Sequence, residues 1–327
     1  MDKKICIYDP IIDDQMSKVR GIGRYLKLLK SSLKDNAIFT NTVDDIPKDC
    51  IFINPFFNFF APPLISKKQF IKQIAVIHDV IPLKYRSHFP VGIMGSINFL
   101  RNKKSLSNYD LIITDSDSSK ADIIKILKVD EQKIKVVYPT LSNDFLKIKE
   151  RKPSFIKDLD EKYLIYVGDA TWNKNLLNIA KAIKSIGIKA VFVGKVFQKK
   201  EDLNHSWQRQ LKSFLNLTKD DSNFIFPGFV SDNELVWLYK NSVCNLLVSH
   251  DEGFGFSFIE AGSQKTPSVL SDILVFKEIA QDNALFSNNN EWKNIADNIK
   301  RIIDNPSLRE TLGEEAYERS RFFTQDS

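Results

Sequence analysis

Short apolar runs alternate with longer amphipathic stretches along most of the chain. The runs predict β-strands, because about four to eight apolar residues bounded by polar ones are typical of a buried strand. They are residues 4–8, 74–77, 111–114, 135–137, 163–167, 190–193, 223–226 and 244–249. Helices are predicted where apolar residues recur every three or four positions, in residues 23–33, 119–127, 176–186, 232–240, 258–263 and 292–304.

The order of these elements predicts the fold class. Strands that alternate with helices favour parallel sheets joined by right-handed crossovers. The charged stretch 147–162 contains Pro153 and precedes a new strand, so we interpret it as a linker. We therefore expect two Rossmann-like α/β domains, residues 1–150 and 151–327, that face each other across a cleft. Ligands of such sheets bind at the carboxyl ends of the strands, so functional residues are expected in the loops after strands.

The distribution of charge leaves several partners open. Residues 1–150 hold 24 Lys and Arg against 17 Asp and Glu, whereas residues 151–327 hold 23 against 24. A basic domain is compatible with nucleic acid, an anionic membrane or an acidic substrate, and also with an ordinary solvated surface. The basic residues are dispersed and no nucleic-acid-binding module is recognisable, so we expect no nucleic acid partner.

Cysteine usage and hydropathy favour a cytoplasmic protein. Cys6, Cys50 and Cys244 are far apart in the sequence and show no metal-ligand spacing. No apolar run follows the two lysines near the start, so no secretory signal is recognised. The apolar stretch 52–65 contains three prolines and is too broken to span a bilayer.

The strongest candidate site is the segment HDEGFGFSFIEA at 250–261. Here a strand, a loop with two glycines and an amphipathic helix follow one another. Gly253 and Gly255 allow a ligand to approach the backbone, and the start of a helix offers N–H groups to a phosphate. The carboxylates of Glu252 and Glu260 can accept hydrogen bonds from the hydroxyls of a sugar. The alternative is an ordinary strand–turn–helix with incidental surface acids.

Two acids separated by seven residues, with Gly-Phe-Gly after the first, resemble the donor-site signature of family 4 retaining glycosyltransferases of the GT-B fold, within the glycosyl transferases group 1. Further segments resemble motifs of this family in the same order. They are GIGRY at 21–25, NPFF at 54–57 with PP at 62–63, IHDVIP at 77–82, ITDSDSS at 113–119, YVG at 166–168, KNL at 174–176, FPGFVSDNEL at 226–235 with LY at 238–239, TP at 266–267 with SD at 271–272, and EIA at 278–280. Each motif alone is permissive, and their shared order from about residue 5 to 320 is specific.

The resemblance implies roles for residues of the second half. Glu252 would contact the transferred sugar as a catalytic residue, and Glu260 would hold the ribose hydroxyls of the nucleotide. Phe254 and Gly255 would offer backbone N–H groups to the sugar or the diphosphate. Lys174 would neutralise the diphosphate, which suits a leaving group that gains negative charge. The alternative for Lys174 is a surface lysine at the start of a helix.

Residues of the first half match more loosely. His78 directly follows an apolar strand and would lie beside the donor sugar as a catalytic residue, whereas the alternative is a histidine satisfied within the core. Gly21 and Gly23 would approach the donor phosphates, unless they form only a tight turn. Gly168, which ends the first strand of the second half, completes the predicted donor-binding set. Weaker candidates of the same kind are Asp79 and Arg24.

The resemblance also implies a reaction and its partners. Retaining transfer in this family proceeds by front-face attack, in which the leaving phosphate accepts the proton of the acceptor hydroxyl. The donor would be a UDP- or GDP-sugar, and the acceptor a glycan or polyprenyl-linked glycan in the synthesis of bacterial surface polysaccharide or lipopolysaccharide. A lysine together with helix N–H groups can replace a divalent cation, so we expect no metal and no cofactor besides the donor.

Membrane contact is a further expectation for the basic first domain. The stretches 25–34 and 97–104 are basic and amphipathic, as are helices that lie on anionic headgroups at the inner face of a membrane. Helices packed on a sheet show the same pattern, so both interpretations stay open.

Some residues depart from the family pattern. Asp169 stands where many relatives carry an arginine that holds the diphosphate, and Lys195 is a candidate replacement. Ser257 replaces a frequent proline, and Ser263-Gln264-Lys265 replaces a turn that usually consists of small residues and a glycine. These departures keep a second function class open, a non-catalytic GT-B partner or chaperone subunit of a glycosylation complex. A sugar-nucleotide epimerase is disfavoured by the Gly-Phe-Gly context.

Overall fold

A computed structural model describes residues 4–11, 21–156, 162–198 and 203–324. The chain divides into two compact units, Met1–Pro139 and Thr140–Ser327. Each unit contains one six-stranded sheet whose strands all pair in parallel. The sequence prediction of parallel α/β architecture is therefore confirmed.

The first unit has the strand order β2-β1-β3-β4-β5-β6. The direction in which strands are added reverses between β1 and β3, and ligands of such sheets bind at this kind of switch point. The strands are β1 Ile5–Tyr8, β2 Ala37–Thr40, β3 Ile51–Asn54, β4 Lys72–Val76, β5 Leu111–Thr114 and β6 Ile134–Val136. The helices are α1 Gly21–Leu33, α2 Ile81–Lys84, α3 Gly92–Ser105 and α4 Asp117–Leu127.

The second unit has the strand order β12-β11-β10-β7-β8-β9, which is the order of a dinucleotide-binding Rossmann fold. Its switch point lies between β7 and β10. The strands are β7 Tyr163–Val167, β8 Lys189–Val193, β9 Phe224–Gly228, β10 Asn245–Leu247, β11 Ser268–Ser271 and β12 Leu285–Ser287. The helices are α5 Asn143–Leu146, α6 Leu176–Ile186, α7 Arg209–Thr218, α8 Asp232–Lys240, α9 Phe256–Gly262, α10 Leu274–Ala280, α11 Trp292–Asp304 and α12 Pro306–Arg321.

Each sheet is covered by the apolar faces of its helices. On α6, Ile179 and Ile183 lie one turn apart and are fully buried against the second sheet. The ring of Phe192 on β8 contacts Phe214 at a centroid distance of 5.0 Å and Phe224 at 5.8 Å. The strands are apolar on both faces because helices cover both, as expected for parallel sheets.

The predicted linker packs on the second unit. The first unit ends at Pro139 instead of at about residue 150. Arg151 forms an ion pair with Glu234 of α8, and Asn233 donates to the carbonyl oxygen of Lys149 at 2.7 Å. The charges that mark this stretch as a linker are therefore surface contacts with α8. The rest of the predicted linker, residues 157–161, lies outside the described residues.

No helix within the described ranges is both long and apolar enough to cross a bilayer.

We expect Gly262→Ala to destabilise the second unit by about 1–3 kcal/mol, the usual cost of an overpacked core. A β-carbon at Gly262 would lie 2.6 Å from the carbonyl oxygen of Ala316, where α9 packs on α12. Urea unfolding followed by tryptophan fluorescence reports on this unit, because all four tryptophans lie in it. The exposed Glu315→Ala on α12 is the matched control, and an equal shift in both variants would contradict the packing argument.

Candidate active site

The candidate site of the second unit lies where strand order reverses. β7 and β10 are neighbours and parallel, so the loops that follow them leave the same edge of the sheet side by side. The first loop ends in the 3₁₀ turn Trp172–Lys174, and the second runs from residue 248 to the start of α9. Most residues predicted for the donor site stand on these two loops.

An ion pair joins the loops. Lys174 Nζ lies 2.6 Å from Glu252 Oε1, and the two side chains are only 20% and 9% exposed. The hydroxyl of Ser249 donates to the same oxygen at 2.7 Å. Both contacts are made by Oε1 of Glu252, so Oε2 can receive a hydroxyl of a ligand. The structure thus brings together two residues that are 78 positions apart in the sequence.

Backbone hydrogen bonds hold the two loops in register. The N–H of His250 donates to the carbonyl oxygen of Asn173 at 2.7 Å, and the Asn173 amide donates to the carbonyl oxygen of Asp251 at 3.0 Å. The ring of Trp172 stacks on His250 with centroids 4.8 Å apart. Asn175 has φ +56° and donates its side-chain amide to the carbonyl oxygen of Val248 at 3.0 Å. The ion pair therefore stands on a rigid support.

The glycine loop begins α9 in the way the sequence predicts. Gly255 has φ +115°, a conformation that favours glycine, and a β-carbon there would lie 2.9 Å from the ring of Phe276. Phe254 is buried, with its ring 5.6 Å from Phe256 and 5.5 Å from Phe323. The Phe254 side chain therefore fixes the loop by packing inside the protein.

Glu260 lies in α9 and is 1% exposed. Its Oε2 accepts a hydrogen bond of 3.0 Å from the hydroxyl of Tyr239 on α8. A buried carboxylate needs such partners, because removal of an ionised group from water is costly. The structure thus excludes the alternative that Glu260 is an incidental surface acid.

Asp169, the residue that departs from the family pattern, is engaged with its own backbone. Its Oδ1 accepts the N–H of Ala170 at 2.8 Å, and its carbonyl oxygen accepts the hydroxyl of Tyr166 at 2.5 Å. Burial, with the charges of Glu252 and Asp169, raises the pKa of Tyr166 well above its ordinary value, so this hydroxyl stays a donor. Gly168 lies beside the same hydroxyl.

Lys195, the proposed replacement for the missing arginine, follows β8. Its ammonium group lies 5.7 Å from the ring centroid of Phe229, which is 54% exposed. The contact that the structure shows for Lys195 is therefore a cation–π contact with an exposed aromatic ring.

In the first unit, His78 follows β4 and is held at both ring nitrogens. Nδ1 lies 2.7 Å from Asp115 Oδ2, and Nε2 lies 3.0 Å from the carbonyl oxygen of Pro55. Burial lowers the pKa of His78, but the charge and hydrogen bond of Asp115 outweigh it and leave the pKa raised. Because both partners are acceptors, the protonated ring satisfies both. The ring of Tyr25 meets it edge-on at 4.7 Å. His78 therefore has the partners expected of a satisfied histidine.

The other candidates of the first unit lie at the starts of α1 and α2. Gly21 begins α1 and Gly23 is buried in its first turn. The residues that precede them, 12–20, lie outside the described residues. Asp79 accepts the N–H of Ile81 at 2.9 Å and so shapes the turn into α2, and Arg24 is partly buried in α1. Across the described parts of the chain, no group of three or more His, Cys, Asp or Glu side chains is suited to a metal ion.

Several supporting residues were not singled out by the sequence analysis. Ser249 and Tyr239 bind the two glutamates, and Asp115 binds the histidine. Tyr239 and Asp115 stand within the motifs LY at 238–239 and ITDSDSS at 113–119, and their position in these motifs is the sequence signal that could have identified them. Ser249 carries no motif signal, because a serine at the end of a strand is common.

The C-terminal tail packs beneath the glycine loop. Phe323 is 1% exposed, and its carbonyl oxygen accepts the N–H of Leu141 at 2.7 Å. The guanidinium of Arg319 lies 4.9 Å from the Phe323 ring centroid and donates to the carbonyl oxygen of Ile279 at 2.6 Å. Through Phe254 the tail thus supports the loop that follows Glu252.

Comparison with known proteins identifies related chains. Residues 147–319 match the family described as glycosyl transferases group 1. The chain is 31% identical over 239 residues to the O-antigen chain mannosyltransferase RfbU of Salmonella typhimurium, covering 71% of this chain and 62% of that protein. It is 22% identical over 276 residues to O-antigen chain mannosyltransferase B of Escherichia coli, covering 80% and 68%. The match therefore spans about three fifths of the length of the first relative.

A solved structure shows the same fold. The HepE protein of Anabaena, in complex with UDP-glucose, superposes with a TM-score of 0.71 at 16% identity, covering 98% of this chain and 95% of that one. At this identity the similarity concerns the fold alone. The predicted GT-B class is thereby confirmed.

We expect Asp115→Asn to lower the pKa of His78, because burial then acts without the opposing carboxylate. In the wild-type chain the raised pKa means that protonated His78 stabilises the fold fully below its ordinary pKa of 6.5. This stabilisation is lost as the pH rises through the raised value. NMR titration of the imidazole measures the shift, and an unchanged pKa in Asp115→Asn would refute the assignment.

We expect Phe323→Ala to loosen the glycine loop. Loss of a buried aromatic ring removes the support of Phe254, so amide hydrogen exchange of residues 253–256 should rise about tenfold or more. Phe322→Ala is the control, because Phe322 is 53% exposed. If both variants exchange at the wild-type rate, the tail does not support the loop.

Proposed function

The chain belongs to the glycosyl transferases group 1, and from this premise we propose that it transfers a sugar, with retention of configuration, from a nucleotide-sugar donor to a glycan acceptor of a bacterial surface polysaccharide. The observation that carries the proposal is the ion pair of Lys174 and Glu252 beside the glycine loop. This pair stands at the switch point of a Rossmann-type sheet, where such sheets bind nucleotides.

The two members of the pair fit different parts of the donor. A lysine ammonium has three N–H groups, so Lys174 can keep Glu252 as a partner and also donate to a diphosphate. Oε2 of Glu252 is proposed to accept a hydroxyl of the transferred sugar. The N–H groups of Phe254 and Gly255, ahead of α9, are proposed to bind the sugar or the diphosphate, beside Gly168. Glu260 is proposed to hold the ribose hydroxyls.

The proposed reaction is the front-face transfer that the family resemblance implies. The bond between the anomeric carbon and the donor phosphate oxygen breaks, and a new bond forms to an acceptor hydroxyl oxygen on the same face of the sugar. The hydroxyl proton passes to the leaving phosphate, whose growing charge Lys174 stabilises. Since the lysine and the backbone N–H groups supply the positive potential, we propose that no metal ion is needed.

Donor and acceptor classes are proposed from the relatives. Two relatives are named O-antigen chain mannosyltransferases, so a mannosyl donor is the first to test, and HepE binds UDP-glucose. The acceptor is proposed to be a lipid-linked glycan at the inner face of the cell membrane. In the first unit, His78 and the start of α1 at Gly21 and Gly23 are proposed to approach the donor.

The test is release of nucleotide by the purified chain from a panel of UDP- and GDP-sugars, with lipid extracts as acceptor and with a chelator present. One donor should release nucleotide, and Lys174→Met should lower kcat/KM about 100-fold, the effect of losing one donor to the leaving charge. Lys184→Met is the matched control, because Lys184 pairs with Asp221 at 2.9 Å at the far end of α6. Thermal unfolding shows whether each variant is folded.

The outcomes separate the two function classes. Release that depends on Lys174 and not on Lys184 supports transfer. Binding of a nucleotide sugar without release would indicate the non-catalytic partner instead. Absence of both release and binding with every donor would exclude this proposal.

A further inference from the structure

Helix α3 of the first unit buries small and polar residues and exposes large apolar ones, which is the reverse of an ordinary surface helix. Its buried positions are Gly95, Asn98, Asn102 and Ser105, which carry no large apolar side chain. Its exposed positions include Ile93, Met94, Ile97 and Leu100, which are 80%, 64%, 38% and 65% exposed. These four residues, the α3 ridge, project from a surface helix where water would ordinarily favour polar side chains.

The buried side of α3 is stable because its polar groups are satisfied. The Asn102 amide donates to the carbonyl oxygen of Ala61 at 2.7 Å, and the Asn98 amide donates to that of Phe60 at 3.0 Å. The hydroxyl of Ser105 donates to the carbonyl oxygen of Asn102 at 2.8 Å. The helix is therefore fixed by hydrogen bonds to the loop 59–61, and its apolar residues are left outside.

Basic residues predominate in the segment of the chain that contains the α3 ridge. Residues 80–109 contain five Lys and Arg and no Asp or Glu. Arg101, Lys103 and Lys104 form the last turns of α3, the basic end, and the helix itself has no acid. Lys84 is paired with Asp122 of α4 at 2.7 Å, so it contributes less.

A groove of about 570 Å³ runs along the α3 ridge. Its walls include Phe60, Phe89 and Phe99 beside Ile93 and Leu100. The Arg86 guanidinium lies 5.0 Å from the Phe99 ring centroid, at the margin of this apolar surface. The groove is thus apolar inside and basic at its border.

The other basic stretch has a different structure. In α1, Tyr25 and Leu26 are buried, and Leu29 and Leu33 pack toward the first sheet. That helix fits the alternative of packing on a sheet, so of the two stretches only the one in α3 presents an apolar face outward.

We propose that the α3 ridge and its basic end dock on an anionic lipid bilayer. Aliphatic side chains enter the boundary between headgroups and acyl chains, while lysine and arginine bind the phosphates. The aliphatic residues of the ridge match the acyl chains of a bilayer, and the lysine and arginine side chains of the basic end match anionic headgroups, so an anionic bilayer is favoured over a protein partner. The proposed function supplies the purpose of this docking, which is to bring the active site to a lipid-linked acceptor, and the inference rests on the proposed function in this respect alone.

Co-sedimentation of the full chain with vesicles tests the proposal. The chain should pellet with vesicles of phosphatidylcholine and phosphatidylglycerol, and high salt or omission of phosphatidylglycerol should release it. Arg101→Glu with Lys104→Glu should weaken binding about tenfold or more. Ile93→Ser with Leu100→Ser should weaken it to a similar extent, because each loses apolar contact with the bilayer.

Matched variants provide the controls. Lys212→Glu with Lys300→Glu makes the same change of net charge on exposed positions of the second unit, and Ile38→Ser with Ile71→Ser removes exposed isoleucines elsewhere in the first. Both should bind as the wild type does. The proposal is overturned if the wild type fails to pellet, or if both double variants of α3 pellet as the wild type does. It is also overturned if Ile93→Ser with Leu100→Ser instead converts a dimer into a monomer in size-exclusion chromatography. The assay contains neither donor nor acceptor, so its result stands apart from that of nucleotide release.

Discussion

The contact between the loops after β7 and β10 is the constraint on which the candidate site depends. These strands are neighbours only because strand order reverses between them, and the reversal brings Lys174 to Glu252 from 78 positions away. Separation of the two loops would leave a largely buried charge without its partner, which is costly, so the ion pair holds both loops in place. The glycine loop comes directly after Glu252 in the chain, and α9, which contains Glu260, comes directly after the glycine loop.

The surroundings of the pair provide rigidity as well as chemistry. Asn173 and Asn175 tie the loops through backbone carbonyls, and Phe254 is packed against the tail at Phe323. Electrostatic stabilisation is strongest when the charged groups need no reorganisation during the reaction. The first unit adds the histidine held by Asp115 and, on α3, an apolar surface with a basic end. The two units thus carry complementary parts of the proposed function.

The sequence predicted the parallel α/β architecture and the elements that line the site, because the strands around β7 and β10 are continuous apolar runs. It missed β2, β3, β11 and β12, although β5, β6 and β10, which it predicted, are equally short. It described residues 97–104 of α3 as a basic amphipathic stretch, but the sequence pattern could not show that the apolar face of this helix points outward. Motif order located Glu252, Glu260, Lys174 and His78. The residues that hold them, such as Ser249 and Tyr239, required the tertiary structure, because hydrogen bonds between distant segments leave no local pattern.

In the proposed function, Lys174 binds the diphosphate while Glu252 binds the sugar. Calorimetric titration of the wild type, Glu252→Gln and Lys174→Met with a nucleotide sugar and with its nucleoside diphosphate tests this division. We expect Glu252→Gln to weaken binding of the nucleotide sugar at least about tenfold more than binding of the diphosphate, because only the sugar hydroxyl uses the carboxylate directly. Lys174→Met should weaken binding of both ligands. Equal effects of Glu252→Gln on the two ligands, or no effect on either, would exclude this division of roles.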